Sequence, residues 1–223
     1  MKHYIWIIFI FVFFSCKVKN EYPDKLTIKQ IIDPILQKKY GDDVLTDTTN
    51  KINYFKGHFT NKEKDECLVM LSSINTWGHI YVRPLLLFEN SKNEWKFSNW
   101  YNLDADSVLV IDINNDKINE IFLSFTSFST GRLFLDQKLI SLKDQKEKIL
   151  YKSESIDDFM SKDPMVWKYN DTISNIYEIQ FVDNENDGKK EIIEKRSIGF
   201  RDKVIKDSLI EKYTESTKII NIK

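Results

Sequence analysis

Apolar residues change their spacing twice along this chain, and each change predicts a different element. From Tyr4 to Phe14 eleven consecutive residues are apolar. That stretch is too short to span a bilayer as a helix, which needs roughly 20 residues. Over residues 25–41 the apolar positions Ile28, Ile31, Ile32, Ile35, Leu36 and Tyr40 recur at three- and four-residue steps, the period of a helix with one buried face. Asp33-Pro34 falls inside this pattern. Asp suits an N-cap and Pro the first helical position, so the pair predicts two short helices or a kink, with Gly41 as a C-terminal stop.

From about residue 50 the period drops to two. Segments rich in Val, Ile, Phe, Tyr and Trp alternate with turn residues at Cys67–Ser72, His79–Phe88, Glu94–Trp100, Ser107–Ile113, Glu120–Phe125, Leu133–Leu142, Ile173–Val182 and Glu191–Ile198. This density of short strands with little helix between them predicts an all-β antiparallel body. Ser155–Met160 reads as one helical turn, and Lys203–Ile222 as one or two closing strands. The division that follows is a leader at 1–15, a polar tether at 16–24, a helical element at 25–49 and a β domain at 50–223.

Within the β domain one unit recurs as strand, polar loop, strand. Its copies are Tyr54–Glu66, Val110–Ile121 and Phe181–Ile192. Aligned on Glu66, Glu120 and Glu191 they lie 54 and 71 residues apart, a blade-sized rather than a hairpin-sized spacing.

Composition narrows the picture little. With 30% charged and 42% hydrophobic residues the chain is ordinary globular material, able to bury a core without disulfides. Thirty-three basic residues balance 34 acidic ones for a net charge of −1, so no basic excess argues for nucleic acid.

The leader carries the clearest signal. Lys2 supplies a positive start, the apolar run follows, and Phe13-Phe14-Ser15-Cys16 ends it. This resembles the lipobox of bacterial lipoproteins, although that family favours Leu where Phe13 stands. The resemblance implies cleavage before Cys16, acylation of its thiol and membrane attachment. Each buried CH₂ contributes about 0.8 kcal/mol, so two or three acyl chains anchor stably where one does not. Lys17 is not the Asp that retains some lipoproteins at the inner membrane, which implies an outer-membrane anchor on the periplasmic or the cell-surface side. Cys67 is then left without an intramolecular partner and reads as a core residue.

The second and third repeat loops share Asp-x-(Asn/Glu)-x-Asp-x-x-x-Glu. Calcium requires several oxygens converging in one tight loop. Asp112, Asn114 and Asp116 occupy alternate positions, with the Ile118 carbonyl and Glu120 able to close the set. Asp183, Glu185, Asp187, the Lys189 carbonyl and Glu191 match them, and Gly188 suits a sharp bend. The spacing is not that of an EF-hand. It resembles the FG-GAP or VCBS-type repeats of integrin-like β-propellers, which implies propeller-like strand units and one or two structural calcium ions. In the first copy His58, Thr60 and Lys62 take the ligand places, and no ion is expected there. Turn chemistry alone also accounts for Asp, Asn and Gly in such loops. Three copies fall short of a closed propeller ring, so an open propeller or a sandwich is the expected body.

No nucleophile elbow or metalloprotease motif is present. The leading expectation is a non-catalytic, calcium-stabilised binding module of the cell envelope, contacting a protein or a glycan. One such module, by analogy of fold, is an inhibitor of a cell-wall hydrolase. The alternatives are an envelope enzyme acting on polysaccharide with an acid pair, and a purely structural lipoprotein. Trp77, Trp95, Trp100 and Tyr101 offer either core filling or a sugar-stacking platform. Thr126–Arg132 reads as a hairpin tip.

Overall fold

The protein is described by a computed structural model covering residues 21–40, 52–71, 74–76, 80–82, 84–101, 103, 105–129, 131–158, 172–205 and 208–222. Residues 1–15, expected as a leader, and Cys16, Gly41, Trp77 and His79 lie outside these residues.

Helix α1, Lys25–Tyr40, opens the described chain. Asp24 caps it: its carboxylate accepts the Thr27 amide at 2.9 Å and the Thr27 hydroxyl at 2.5 Å, satisfying a donor that the first turn leaves orphaned. Asp33-Pro34 does not divide the segment into two helices: a single helix runs through with Pro34 inside it. Ile28 and Ile32 before the proline and Leu36 after it are all fully buried. Burial on both sides of Pro34 outweighs one missing helical hydrogen bond.

The rest is all-β and antiparallel. Strands β1 (Ile52–Gly57), β2 (Glu66–Leu71), β5 (Leu85–Ser91) and β6 (Glu94–Tyr101) form a four-stranded sheet in the order β1-β2-β5-β6. The short pair β3 (Ile74–Thr76) and β4 (Ile80–Val82) stands between β2 and β5 in the chain. The stretch His79–Phe88, expected as one strand, is thus divided between β4 and β5 in front of Pro84, which has no N–H to give a ladder.

The second sheet is one seven-stranded meander. It comprises β7 (Ser107–Ile111), β8 (Glu120–Ser129), β9 (Arg132–Ser141), β10 (Lys148–Asp158), β11 (Thr172–Val182), β12 (Glu191–Ile205) and β13 (Ser208–Ile220). It curls strongly into a half-barrel. The helical turn expected at Ser155–Met160 is strand as far as Asp158, because Ser155, Ile156, Asp157 and Asp158 pair with Leu135, Phe134, Leu133 and Arg132 on β9.

Every residue of β2 is buried, and the alternation of a strand explains how. Leu68 and Met70 join Leu85, Leu87, Ile121, Leu123 and Ile140 in a core between the two sheets. Cys67, Val69 and Leu71 face the other way, with Leu86 and Phe88, onto Ile28, Ile32 and Leu36 of the helix. A third core lies within the curl, where Ile111, Ile113, Leu139, Tyr151 and Ile192 cluster. The repeats are therefore three hairpins, β1–β2, β7–β8 and β11–β12, built into two sheets.

Candidate functional site: three stacked loops

Each repeat loop leaves one strand and returns on a glutamate that is the first residue of the next, Glu66, Glu120 and Glu191. All three glutamates do the same thing. Glu66 Oε2 accepts the Phe59 amide at 2.6 Å, Glu120 Oε2 the Ile113 amide at 3.1 Å and Glu191 Oε2 the Asn184 amide at 3.1 Å. Every one of these bonds closes over seven residues. The carboxylate gathers the loop by its own backbone, a role the ligand pattern did not reveal. The signal was present: glutamate is kept in the first copy, where the other ligand types are lost.

The second and third loops share a finer template. Asp112 accepts the amides of Asp116 at 3.2 Å and Lys117 at 2.9 Å. Asp183 accepts those of Asp187 at 3.2 Å and Gly188 at 3.0 Å. Asp116 then takes the Ile118 amide, and Asp187 the Lys189 amide, each at 2.9 Å. The backbone follows the same path, with positive φ at Asn115 (60°) and Lys117 (68°) and at Asn186 (56°) and Gly188 (83°). Lys117 accepts a conformation that favours glycine; the Asp112 carboxylate bonded to its amide holds it there. Asn114 Oδ1 also accepts the Asp116 amide, at 3.0 Å.

The first loop differs at its first position. His58 Nδ1 lies 2.5 Å from the Lys64 carbonyl, the place equivalent to Ile118 and Lys189. A ring N–H there satisfies the carbonyl, and Thr60 gives both its amide and its hydroxyl to Glu66.

The loops stack side by side through residues with no ligand character. Asn119 donates its amide to the His58 carbonyl at 2.6 Å and accepts the His58 amide on Oδ1 at 2.9 Å. Lys190 donates its amide to the Ile113 carbonyl at 2.7 Å and its ammonium to the Asp112 carbonyl at 3.2 Å. Asn119 and Lys190 each directly precede the glutamate of their loop. Gly57 permits the first approach, since a Cβ there would stand 2.7 Å from Asn119 Oδ1.

Charge is concentrated unevenly. Glu120 is 2% exposed. Burial first, and then the nearby Asp116 and Asp112 carboxylates, push its carboxyl up to about 7. Lys143 Nζ lies 3.1 Å from Asp116, and Lys189 Nζ 3.4 Å from Asp187. The third loop is more open: Asp187 is held below the usual carboxylate range by the Lys189 amide.

Of the expected ligands, Asp112, Asn114, Asp116 and Glu120 each accept an amide of one loop, and Asp183, Asp187 and Glu191 an amide of the other. Among the described residues no three His, Cys, Asp or Glu side chains converge as a ready metal cluster. The aspartates turn one lone pair on each bonded oxygen to backbone amides, and a carboxylate oxygen has a second. The donor set suits a hard, oxygen-seeking cation.

Among the described residues, Trp95, Trp100 and Tyr101 do not form one platform. Trp95 and Trp100 pack against the helix-side core, and Tyr101 lies in the core between the sheets. Thr126–Arg132 is the β8–β9 hairpin, with Gly131 at φ 74°. Arg132 is engaged by the buried Asp158 at 2.8 Å.

Comparison with protein-family models, curated proteins and solved structures finds no match.

Proposed function

We propose that this chain is a lipid-anchored, non-catalytic binding module of the bacterial cell envelope, stabilised by calcium in the loops 112–120 and 183–191. The observation that carries the calcium reading is the shared template of those loops. Two sequences of different detail fold onto one path, with Asp, Asp and Glu at the same three places. The first loop, lacking both aspartates, supplies a ring nitrogen to the carbonyl that calcium would take. The residues that would hold the ion are Asp112, Asn114, Asp116, the Ile118 carbonyl and Glu120, and in the third loop Asp183, Glu185, Asp187, the Lys189 carbonyl and Glu191. Calcium there would neutralise carboxylates that otherwise repel one another.

The membrane reading rests on the leader and Cys16. No helix among the described residues is long and apolar enough to cross a bilayer. An outer-membrane location and a protein or glycan partner complete the proposal, and inhibition of a cell-wall hydrolase is one form the binding can take.

Thermal unfolding in about 10 mM calcium against EDTA tests the loops. For a site of 10⁻⁴–10⁻³ M affinity the gain is about 1.4–2.7 kcal/mol, a rise of several degrees. Asp187→Asn should remove most of it. Superimposable melting curves would sink the calcium reading. Cys16→Ser should abolish acylation and release the protein from membranes; an unchanged mass and membrane partition would sink the anchor.

A further inference from the structure

A cavity of about 580 Å³ opens at one end of the first sheet, between the first repeat loop, the β5–β6 hairpin and the segment at Glu21. Its charges are largely spent. Lys56 is paired with Glu21 at 2.9 Å and lies 4.4 Å from the centre of the Tyr22 ring. Glu66 gives its carboxylate to three hydrogen bonds inside the loop.

The other lining groups are neutral or singly charged, and one of them is aromatic. Trp95, partly buried against the helix-side core, lines the cavity, and its cross-strand partner Asn90 lines it too. His58 is oriented by its contact with the Lys64 carbonyl. A carbonyl only accepts, so Nδ1 carries the hydrogen and Nε2 is the ring nitrogen not used in that contact. The side chains of Asp65 and Asn90 hold no hydrogen bond to another described residue.

We propose that this cavity binds a pyranose ring of a glycan. Trp95 offers the aromatic side for the ring's C–H face. Asp65 accepts hydroxyl hydrogens, His58 Nε2 offers a further hydrogen-bonding atom, and the Asn90 amide both donates and accepts. An anionic ligand would meet the Asp65 carboxylate, and an apolar one would leave Asp65 and Asn90 unpaired at a cost. The volume lies within the range of small-ligand sites. The repeat copy without the acidic ligand set thus supplies a recognition surface in place of an ion site. This inference rests on the reading of the chain as a binding module and names glycan as the partner, but it requires neither calcium nor lipid.

The test is calorimetric titration of the full chain, in a detergent without sugar headgroups, with the methyl β-glycosides of glucose, galactose, mannose and N-acetylglucosamine. At least one should bind with millimolar affinity or better. Trp95→Ala should weaken that binding at least tenfold, Trp95→Phe should retain most of it, and Asp65→Asn should weaken it severalfold with an unchanged melting temperature. Asp65 is exposed, so that variant serves even if Trp95→Ala unfolds. Absence of binding by all four glycosides, or binding indifferent to Trp95→Ala and Asp65→Asn, overturns the proposal. If calcium still raises the melting temperature in that case, the binding-module reading survives without the glycan. Cleavage of p-nitrophenyl glycosides at the same site would support the sugar cavity and overturn the non-catalytic reading.

Discussion

Glu120 concentrates the tension of the central loop in one side chain. It is buried, it holds the Ile113 amide, and two aspartates stand beside it. Its carboxyl is raised from 4.5 to about 7, so in the folded protein it keeps a proton that the unfolded chain releases. Stability in calcium-free buffer should therefore fall as pH rises from about 4.5 to 7, by roughly 3 kcal/mol from this group alone. Glu120→Gln should flatten that part of the pH profile and diminish the gain from calcium. Chemical denaturation at pH 5 and pH 8 in EDTA checks both. A variant whose pH dependence matches the parent would show that Glu120 is not the responsible group. Gly57 carries a steric constraint. Its alanine variant pushes Asn119 off the His58 amide and should cost about 1–2 kcal/mol, seen as a lower denaturation midpoint with an unchanged slope.

At the scale of elements, α1 and β2 explain one another. The helix is capped by Asp24 and interrupted by Pro34, yet it stays whole because Ile28, Ile32 and Leu36 all reach the sheet. Ile32→Ala should cost about 2–5 kcal/mol, whereas Asp24→Ala should cost only about 1 kcal/mol. The Thr27 hydroxyl and amide hold the Asp24 carboxyl below its ordinary value. The contribution of the cap is therefore full above about pH 4 and lost as pH falls further. Equilibrium unfolding of both variants at pH 7 checks the ranking; an equal or larger loss for Asp24→Ala would reverse it. The far edge of the half-barrel, β13, is long and is exposed over residues 212–219. Lys212, Glu215 and Lys218 stand exposed along it, charges that discourage pairing with another strand.

For the molecule as a whole, the core between the sheets joins the two halves. Ile121 of β8 sits there fully buried beside Leu68 and Leu85. With one shared core, heat should unfold both sheets in a single transition, and Ile121→Ala should lower its midpoint without splitting it. Two resolved transitions in calorimetry would show that the sheets unfold separately.

Much of this was legible along the chain, for local reasons. Segments rich in branched and aromatic residues marked β2, β4 to β9, β11 and β12, because such side chains fit a pleated, packed surface, but they did not mark β10. Glu66, Glu120 and Glu191 set the three loops in register, and Asp112, Asp116, Asp183 and Asp187 marked the shared turn through hydrogen bonds that span at most five residues. The helix was legible too, but its continuity through Pro34 was not, because the sheet that holds both halves of the helix is remote in sequence. Neither was the strand at Ser155, whose partners are Leu135 on β9 and the Tyr177 amide. Only the tertiary structure placed Asn119 on His58, Lys190 on Asp112, and Trp95 and Asp65 on one cavity. Those juxtapositions depend on how sheets curl and loops stack, and no local spacing encodes them. The sequence by itself determined which segments extend and which loops turn alike. Packing decided which of those loops touch, which carboxylate is buried and where a ligand has room.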